Sequence, residues 1–267
     1  MAQSPIRFDD GAAYERAMGV WSRDAGLRFL DWLTPAHGLS WVDVGCGNGA
    51  FTEVLIERTA PAEVQAIDPS EGQIAFARTR AGTAKAHFGI GDAMALPFDA
   101  DRFDAAVMAL VIFFVPDPAK GLAEMVRVTR PGGLISAYAW DILGGGFPYA
   151  PIQDAMREAG LTPALPPSVE VSRLPALEAL WHGAGLEKVE TTVIPSQRSY
   201  PDFDTFWNHT TTSGAIMASL QTLPAEMLDQ VRSGTRARLK IDASGQVHCT
   251  ARANAVRGRV PLPPPAG

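Results

Sequence analysis

The sequence predicts an α/β fold: a parallel sheet covered by helices on both faces. Short apolar strands alternate with helical segments through the first 140 residues. Apolar residues make up 46% of the 267, enough to bury strands on both faces. A glycine-rich turn joins the first strand to the helix that follows.

The elements follow in order. Leu27, Leu30 and Leu33 fall on one face of an amino-terminal helix that Pro35 and Gly38 stop. Trp41 to Val44 is a buried strand, and Ala50 to Arg58 a helix with Phe51, Val54 and Leu55 on one side. A second strand spans Glu63 to Asp68, and a helix from Glu71 to Arg80 takes Ser70 as its N-cap. Strands at Ala86 to Ile90 and Phe103 to Leu110 precede a helix from Ala119 to Val128, and Pro131-Gly132-Gly133 introduces a fifth strand, Leu134 to Trp140. Right-handed crossovers then limit the topology. Beyond Asp141 the pattern loosens, and Gly144 to Gly146 and Pro163 to Pro167 read as loops. A helix at Pro175 to Ala184, a strand at Leu186 to Ile194 and a last strand at Gln246 to Val256 complete the sheet. The organisation expected is a helical lid (1–40), a core (41–194), a helical insertion (195–245), a final core strand (246–260) and a tail (261–267).

Composition excludes several classes. The net charge of -6 disfavours phosphate-rich partners, so no nucleic acid is expected. The two cysteines, Cys46 and Cys249, form neither a disulfide framework nor a zinc motif, and no metal is expected. No apolar run is long enough to span a bilayer and the first residues lack a secretory pattern, so the expected location is the cytoplasm, as a monomer or homodimer.

A strand, a glycine turn and a helix bring backbone N–H groups and a positive dipole end against a ligand. Gly45-x-Gly47-x-x-Ala50 fits the dinucleotide fingerprint, and Asp68 stands where a ribose-binding acid belongs. An NAD-dependent oxidoreductase is therefore one reading. Against it, Asp43 lies in the strand two residues before Gly45. A carboxylate there repels a pyrophosphate and attracts an ammonium group. Asp92 adds a second acid after the third strand, suited to an adenine amino group.

The ordered set Asp43-x-Gly45-x-Gly47-x-Gly49, Ile67-Asp68-Pro69-Ser70, Gly91-Asp92-Ala93 with Leu96-Pro97-Phe98, Phe103-Asp104 and Arg127 to Gly133 resembles the class I S-adenosylmethionine (SAM)-dependent methyltransferases. The likeness is greatest to the small-molecule branch that includes the ubiquinone/menaquinone-biosynthesis C-methyltransferases, and it covers residues 10–140. It implies a Rossmann-like, doubly wound and mostly parallel seven-stranded sheet with an antiparallel last strand. It also implies SAM as cofactor, S-adenosylhomocysteine as product and a small-molecule acceptor. By similarity, Gly45, Cys46 and Gly47 bear on the methionyl part and Asp43 on its amino group. Asp68 takes the ribose hydroxyls, Asp92 and Ala93 the adenine edge, and Pro69 and Met94 its two faces. Ala109 and Leu110 face the methionyl chain, and Tyr14, Met18 and Trp21 are lid contacts.

The chain departs from these relatives after the fourth strand. Where they often carry polar residues, it has Val111-Ile112-Phe113-Phe114-Val115. Phe113 and Phe114 then suit an apolar or aromatic acceptor. Phe147, Tyr149, Phe206 and Trp207 are further wall candidates, and the insertion reads as a substrate cap. The remaining candidates for a general base are Asp141, after the fifth strand, and His209. A SAM-binding regulatory protein without catalysis is the rival that the missing polar pair favours.

Overall fold

The computed structural model describes residues 15–211 and 214–263; Tyr14 lies outside them. A π-helical turn at Glu15–Gly19 leads into α1 (Val20–Leu33), which buries Trp21, Ala25, Phe29 and Leu33. The core alternates β1 (Ser40–Val44), α2 (Ala50–Thr59), β2 (Glu63–Asp68), α3 (Glu71–Ala77), β3 (Ala86–Ile90), β4 (Phe103–Ala109), α4 (Pro118–Val128) and β5 (Thr129–Trp140). After it come α5 (Ala150–Glu158), α6 (Leu174–Gly183) and β6 (Glu187–Tyr200). Helices α7 (Phe203–Thr211), α8 (Gly214–Gln221) and α9 (Ala225–Arg238) then interrupt the sheet before β7 (Lys240–Ile241) and β8 (Val247–Arg259).

The strand order is β3-β2-β1-β4-β5-β8-β6, with the two-residue β7 appended to β8. Strands β1 to β5 are parallel, and β8 runs antiparallel between β5 and β6. The doubly wound, mostly parallel sheet with an antiparallel last strand is as expected, and the short β7 is an addition. Since β1 sits between β2 and β4, the chain reverses direction across the sheet there, which opens a crevice at the carboxyl end of β1.

Local chemistry explains the boundaries. Ser70 caps α3 through its side chain, accepting from the Gln73 N–H at 3.3 Å, and Asp117 caps α4, accepting from the Lys120 N–H at 3.0 Å. Trp21 meets Trp140 edge-on at 6.5 Å and Phe29 lies 4.6 Å from Tyr138, so α1 is fixed across the sheet by large rings.

Two expectations are corrected. Strand β6 does not end at Ile194 but runs to Tyr200, so the insertion begins near 201 rather than 195. Pro195 is tolerated because β6 is an edge strand, with pairing on the β8 side alone. Strand β5 starts at Thr129, passing through Pro131-Gly132-Gly133 with a register shift opposite Phe103 and Ala105. Helix α5 lies between the two expected loops, in a stretch given no element from sequence, and Pro151 stands in its first turn, where a proline costs no hydrogen bond.

Candidate functional site

The crevice is built from the glycine turn. Gly45, Gly47 and Gly49 all have positive φ, at 74°, 52° and 78°. The Gly45 and Cys46 N–H groups both donate to the Ile67 carbonyl, at 2.8 and 2.9 Å, which draws the turn against the end of β2. A Cβ on Gly45 would lie 2.5 Å from Val111 Cγ1, whereas one on Gly47 would meet nothing within 4 Å. Gly45 is thus a packing requirement, and Gly47 is the open position at which a ligand can lie on backbone.

Two acids, Asp43 and Asp68, flank the turn, and a third, Asp92, stands in the loop after β3. Asp43 is fully buried; its Oδ2 accepts from the Thr52 hydroxyl at 2.7 Å. Its Oδ1 is buried with no partner among the described residues. Burial raises the Asp43 pKa to about 7, opposed by the Thr52 bond and aided by the charge of Asp68. Asp68, at the end of β2, accepts from the Gly47 and Ser70 N–H groups, each at 2.9 Å, and burial raises its pKa. The exposed Asp92 accepts from the Met94 N–H at 2.8 Å and bridges to Ala95, so it shapes the loop after β3 on which Ala93 and Met94 stand half-buried. Pro69 is exposed beside Asp68. Cys46 is buried, and its thiol pKa is pushed well above the usual value by that burial, so it is an inert spacer.

Leu110, just past β4, is a non-glycine residue with φ 61°, held there by its N–H donating to Tyr138 O at 2.8 Å. Such backbone strain concentrates at functional positions. Ala109 beside it is half-buried. Met18 and Trp21 are both buried, and the Trp21 indole N–H donates to the Tyr200 hydroxyl at 3.4 Å.

A clasp that sequence reasoning missed joins the amino-terminal segment to the turn. Arg80 pairs with Glu15, donates to the Asn48 carbonyl at 2.7 Å and reaches Glu53 at 3.1 Å. Asn48 in turn donates to Glu15 at 2.9 Å. Asn48 was visible within the glycine motif, but nothing in the order of residues marks Arg80, which arrives from the end of the α3 region.

The proposed acceptor side is less unified. Phe113 is buried and 4.6 Å from the half-buried Phe114, in a short turn tied to Ser168 through the Phe113 carbonyl. Phe147 and Tyr149 stack edge-on at 5.4 Å. Trp207 lies 6.1 Å from Phe203 with Arg232 over both rings, and Phe206 packs on Tyr200 at 5.3 Å. Trp207 therefore takes part in the packing of α7 against α9.

The two base candidates are placed differently. Asp141 pairs with Arg252 at 2.8 Å and accepts from the Gly144 N–H at 3.1 Å. Arg252 also donates to the Gly144 carbonyl, so Asp141 anchors the 141–146 turn to β8. His209 is exposed on α7, its ring 6.0 Å from that of Tyr200. Among the described residues, no cluster of His, Cys, Asp or Glu could hold a metal ion, and no helix is long and apolar enough to cross a membrane.

Residues 42–137 match the family model described as "Methyltransferase domain". That stretch of the chain is similar to a methyltransferase domain. Its core is 35% identical over 130 residues to malonyl-[acyl-carrier protein] O-methyltransferase of Serratia marcescens, covering 46% of this chain and 49% of that protein. It is 38% identical over 104 residues to demethylmenaquinone methyltransferase of Clavibacter sepedonicus, covering 39% of this chain and 42% of that one. The matched stretch thus spans about half of these relatives' length or less. Among solved structures, phosphoethanolamine N-methyltransferase 2 of Haemonchus contortus in complex with S-adenosyl-L-methionine superposes with a TM-score of 0.57 at 19% identity, covering 94% of this chain and 57% of that one. That likeness concerns the fold. The matched stretch holds the glycine turn, all three acids and Leu110, while the segments beyond residue 137 that carry Asp141, His209 and Trp207 lie outside the family match.

Proposed function

We propose that this chain is a SAM-dependent methyltransferase acting on a small molecule with an apolar or aromatic body. The observation that carries the reading is Asp43: a buried carboxylate beside the glycine turn, with one oxygen unpartnered among the described residues. A pyrophosphate there would add negative charge to an acid that burial and Asp68 already strain. An ammonium group removes that strain and satisfies the orphan oxygen, so the residues present fit SAM and disfavour a dinucleotide.

When bound, SAM supplies an electrophilic methyl group on a sulfonium. The chain's own residues bind and orient. Asp43 and the Gly45 and Gly47 backbone would hold the methionyl end, with Ala109 and Leu110 against its chain. Asp68 would take the ribose hydroxyls, Asp92 and Ala93 the adenine edge, and Pro69 and Met94 the ring faces. Phe113 and Phe114 would offer the acceptor an apolar surface that excludes water, and the 201–238 helices would cap it. Alignment of this kind supplies roughly 7–11 kcal/mol of a barrier. No general base is assigned, because Asp141 is tied to Arg252. That same commitment favours the second reading, a SAM-binding protein without turnover.

Methyl-labelled SAM incubated with an acceptor panel tests the choice. Label passing to a small molecule is expected. Tight S-adenosylhomocysteine binding with no transfer to any acceptor would favour the non-catalytic reading.

A further inference from the structure

Strand β6 carries an uncommitted cation. Its alternation places Ile194, Ser196, Arg198 and Tyr200 on one face. Arg198 Nη1 and Ser196 Oγ are both buried, and neither has a hydrogen-bond partner among the described residues. Two arginines of β8 differ, since Arg252 pairs with Asp141 and Arg257 with Glu190, and a third, Arg259, donates to the Gly132 carbonyl. Arg198 makes no ion pair with a described residue. Its cross-strand neighbour on β8 is Cys249, and Ala251 stands opposite Ser196. Neither can neutralise a guanidinium. What Arg198 has instead is the Tyr200 ring, 4.5 Å from its centre, which fixes the planar group without satisfying its donors.

The position is as telling as the missing partner. Trp140 ends β5 opposite Ala253, which in turn pairs with Ile194. Residues 195–200 therefore project past the carboxyl end of β5, the side of the sheet on which the glycine turn and Leu110 lie. Tyr200 accepts the Trp21 indole N–H, and Trp21 meets Trp140, so this face of β6 lies against α1. A buried donor left unpaired is costly, and a buried unpaired charge more so.

We propose that Arg198 and Ser196 form the subsite that receives a carboxylate of the methyl acceptor, making the acceptor an apolar or aromatic acid. The planar guanidinium suits a carboxylate's two oxygens, and the Ser196 hydroxyl adds a further donor. Arg198 is then a specificity-determining residue. The proposal rests on the methyltransferase reading above.

The test is calorimetry on the full chain saturated with S-adenosylhomocysteine, titrated with matched acids and amides: benzoate and benzamide, 4-hydroxybenzoate and 4-hydroxybenzamide, phenylacetate and phenylacetamide. At least one acid is expected to bind roughly tenfold or more tighter than its amide, as a charge-assisted pair requires. Arg198→Met should erase that preference while leaving S-adenosylhomocysteine affinity intact, and Arg198→Lys should keep part of it. Removing a half-buried guanidinium whose Nη1 has no partner among the described residues should leave the melting temperature of the ligand-free protein unchanged or raised. Equal affinity for acids and amides, or a preference that survives in Arg198→Met, overturns the subsite. So does a lowered melting temperature with no change in acid preference, which would make Arg198 a packing residue. Wild-type protein that ignores S-adenosylhomocysteine sinks the methyltransferase reading as well; binding it without acid preference sinks the subsite alone.

Discussion

Replacing Asp43 with Asn separates stability from ligand binding. The carboxyl has a pKa raised from 3.8 to about 7, so the folded protein holds its proton more tightly than the unfolded chain. The sign follows: below 3.8 both states are protonated and nothing is lost, stability falls as pH rises through the window to about 7, and above it the penalty is constant. At about 1.4 kcal/mol per pH unit, the penalty is on the order of 4 kcal/mol. Asn cannot ionise, and its carbonyl can still accept from Thr52 Oγ1, as Asp43 Oδ2 does at 2.7 Å. Its amide nitrogen, however, takes the unpartnered position and costs about 1–3 kcal/mol. Denaturant titrations should therefore find D43N more stable than wild type by about 1–3 kcal/mol at pH 8. The difference should shrink toward pH 5 and reverse by pH 4. In the same protein, loss of a charged partner for the ligand ammonium should weaken S-adenosylhomocysteine binding by roughly 10- to 150-fold, from about 1.5–3 kcal/mol. A variant that is less stable at pH 8, or that binds as well as wild type, would refute the reasoning.

Gly45→Ala should destabilise by about 1–3 kcal/mol and abolish ligand binding, because it combines positive φ with a Cβ 2.5 Å from Val111. Gly47→Ala, with open space around its Cβ, should cost only about 1–2 kcal/mol in thermal melts. Equal effects would show that the Val111 contact is unimportant. Arg80→Met should raise amide exchange over Glu15 to Ser22 about fivefold, from roughly 1 kcal/mol for partly exposed pairs, with the central strands unchanged. Asp141→Asn should lower the melting temperature and leave the pH dependence of transfer in place; a rate loss of about 10²–10⁴ without destabilisation would restore Asp141 as a base.

The core was legible because its signals are local. Strand β2 matches its predicted bounds, since Glu63 to Asp68 lies between a proline-marked loop and a capped helix. The acids around the turn were likewise readable from spacing, because Asp43, Asp68 and Asp92 each end or follow a strand. What was not legible depends on pairing across the sheet. Pro195 reads as a stop, yet it tolerates strand on an edge. Asp141 has a base's position, and only the distant Arg252 reveals its commitment, 111 residues away. Trp207 is apolar and well placed in sequence, but Arg232 and Phe203 claim it. The Arg80 clasp, and Arg198 Nη1 with no partner among the described residues, are properties of three-dimensional neighbours, which no spacing encodes.

The most direct measurement is a thermal shift comparing S-adenosylhomocysteine with NAD on the wild-type protein. At a hundredfold the dissociation constant, a ligand adds about 2.7 kcal/mol, well within detection. S-adenosylhomocysteine is expected to raise the melting temperature and NAD to leave it unchanged. Stabilisation by NAD with none from S-adenosylhomocysteine would contradict the assignment of Asp43 as an ammonium site, and with it the methyltransferase reading.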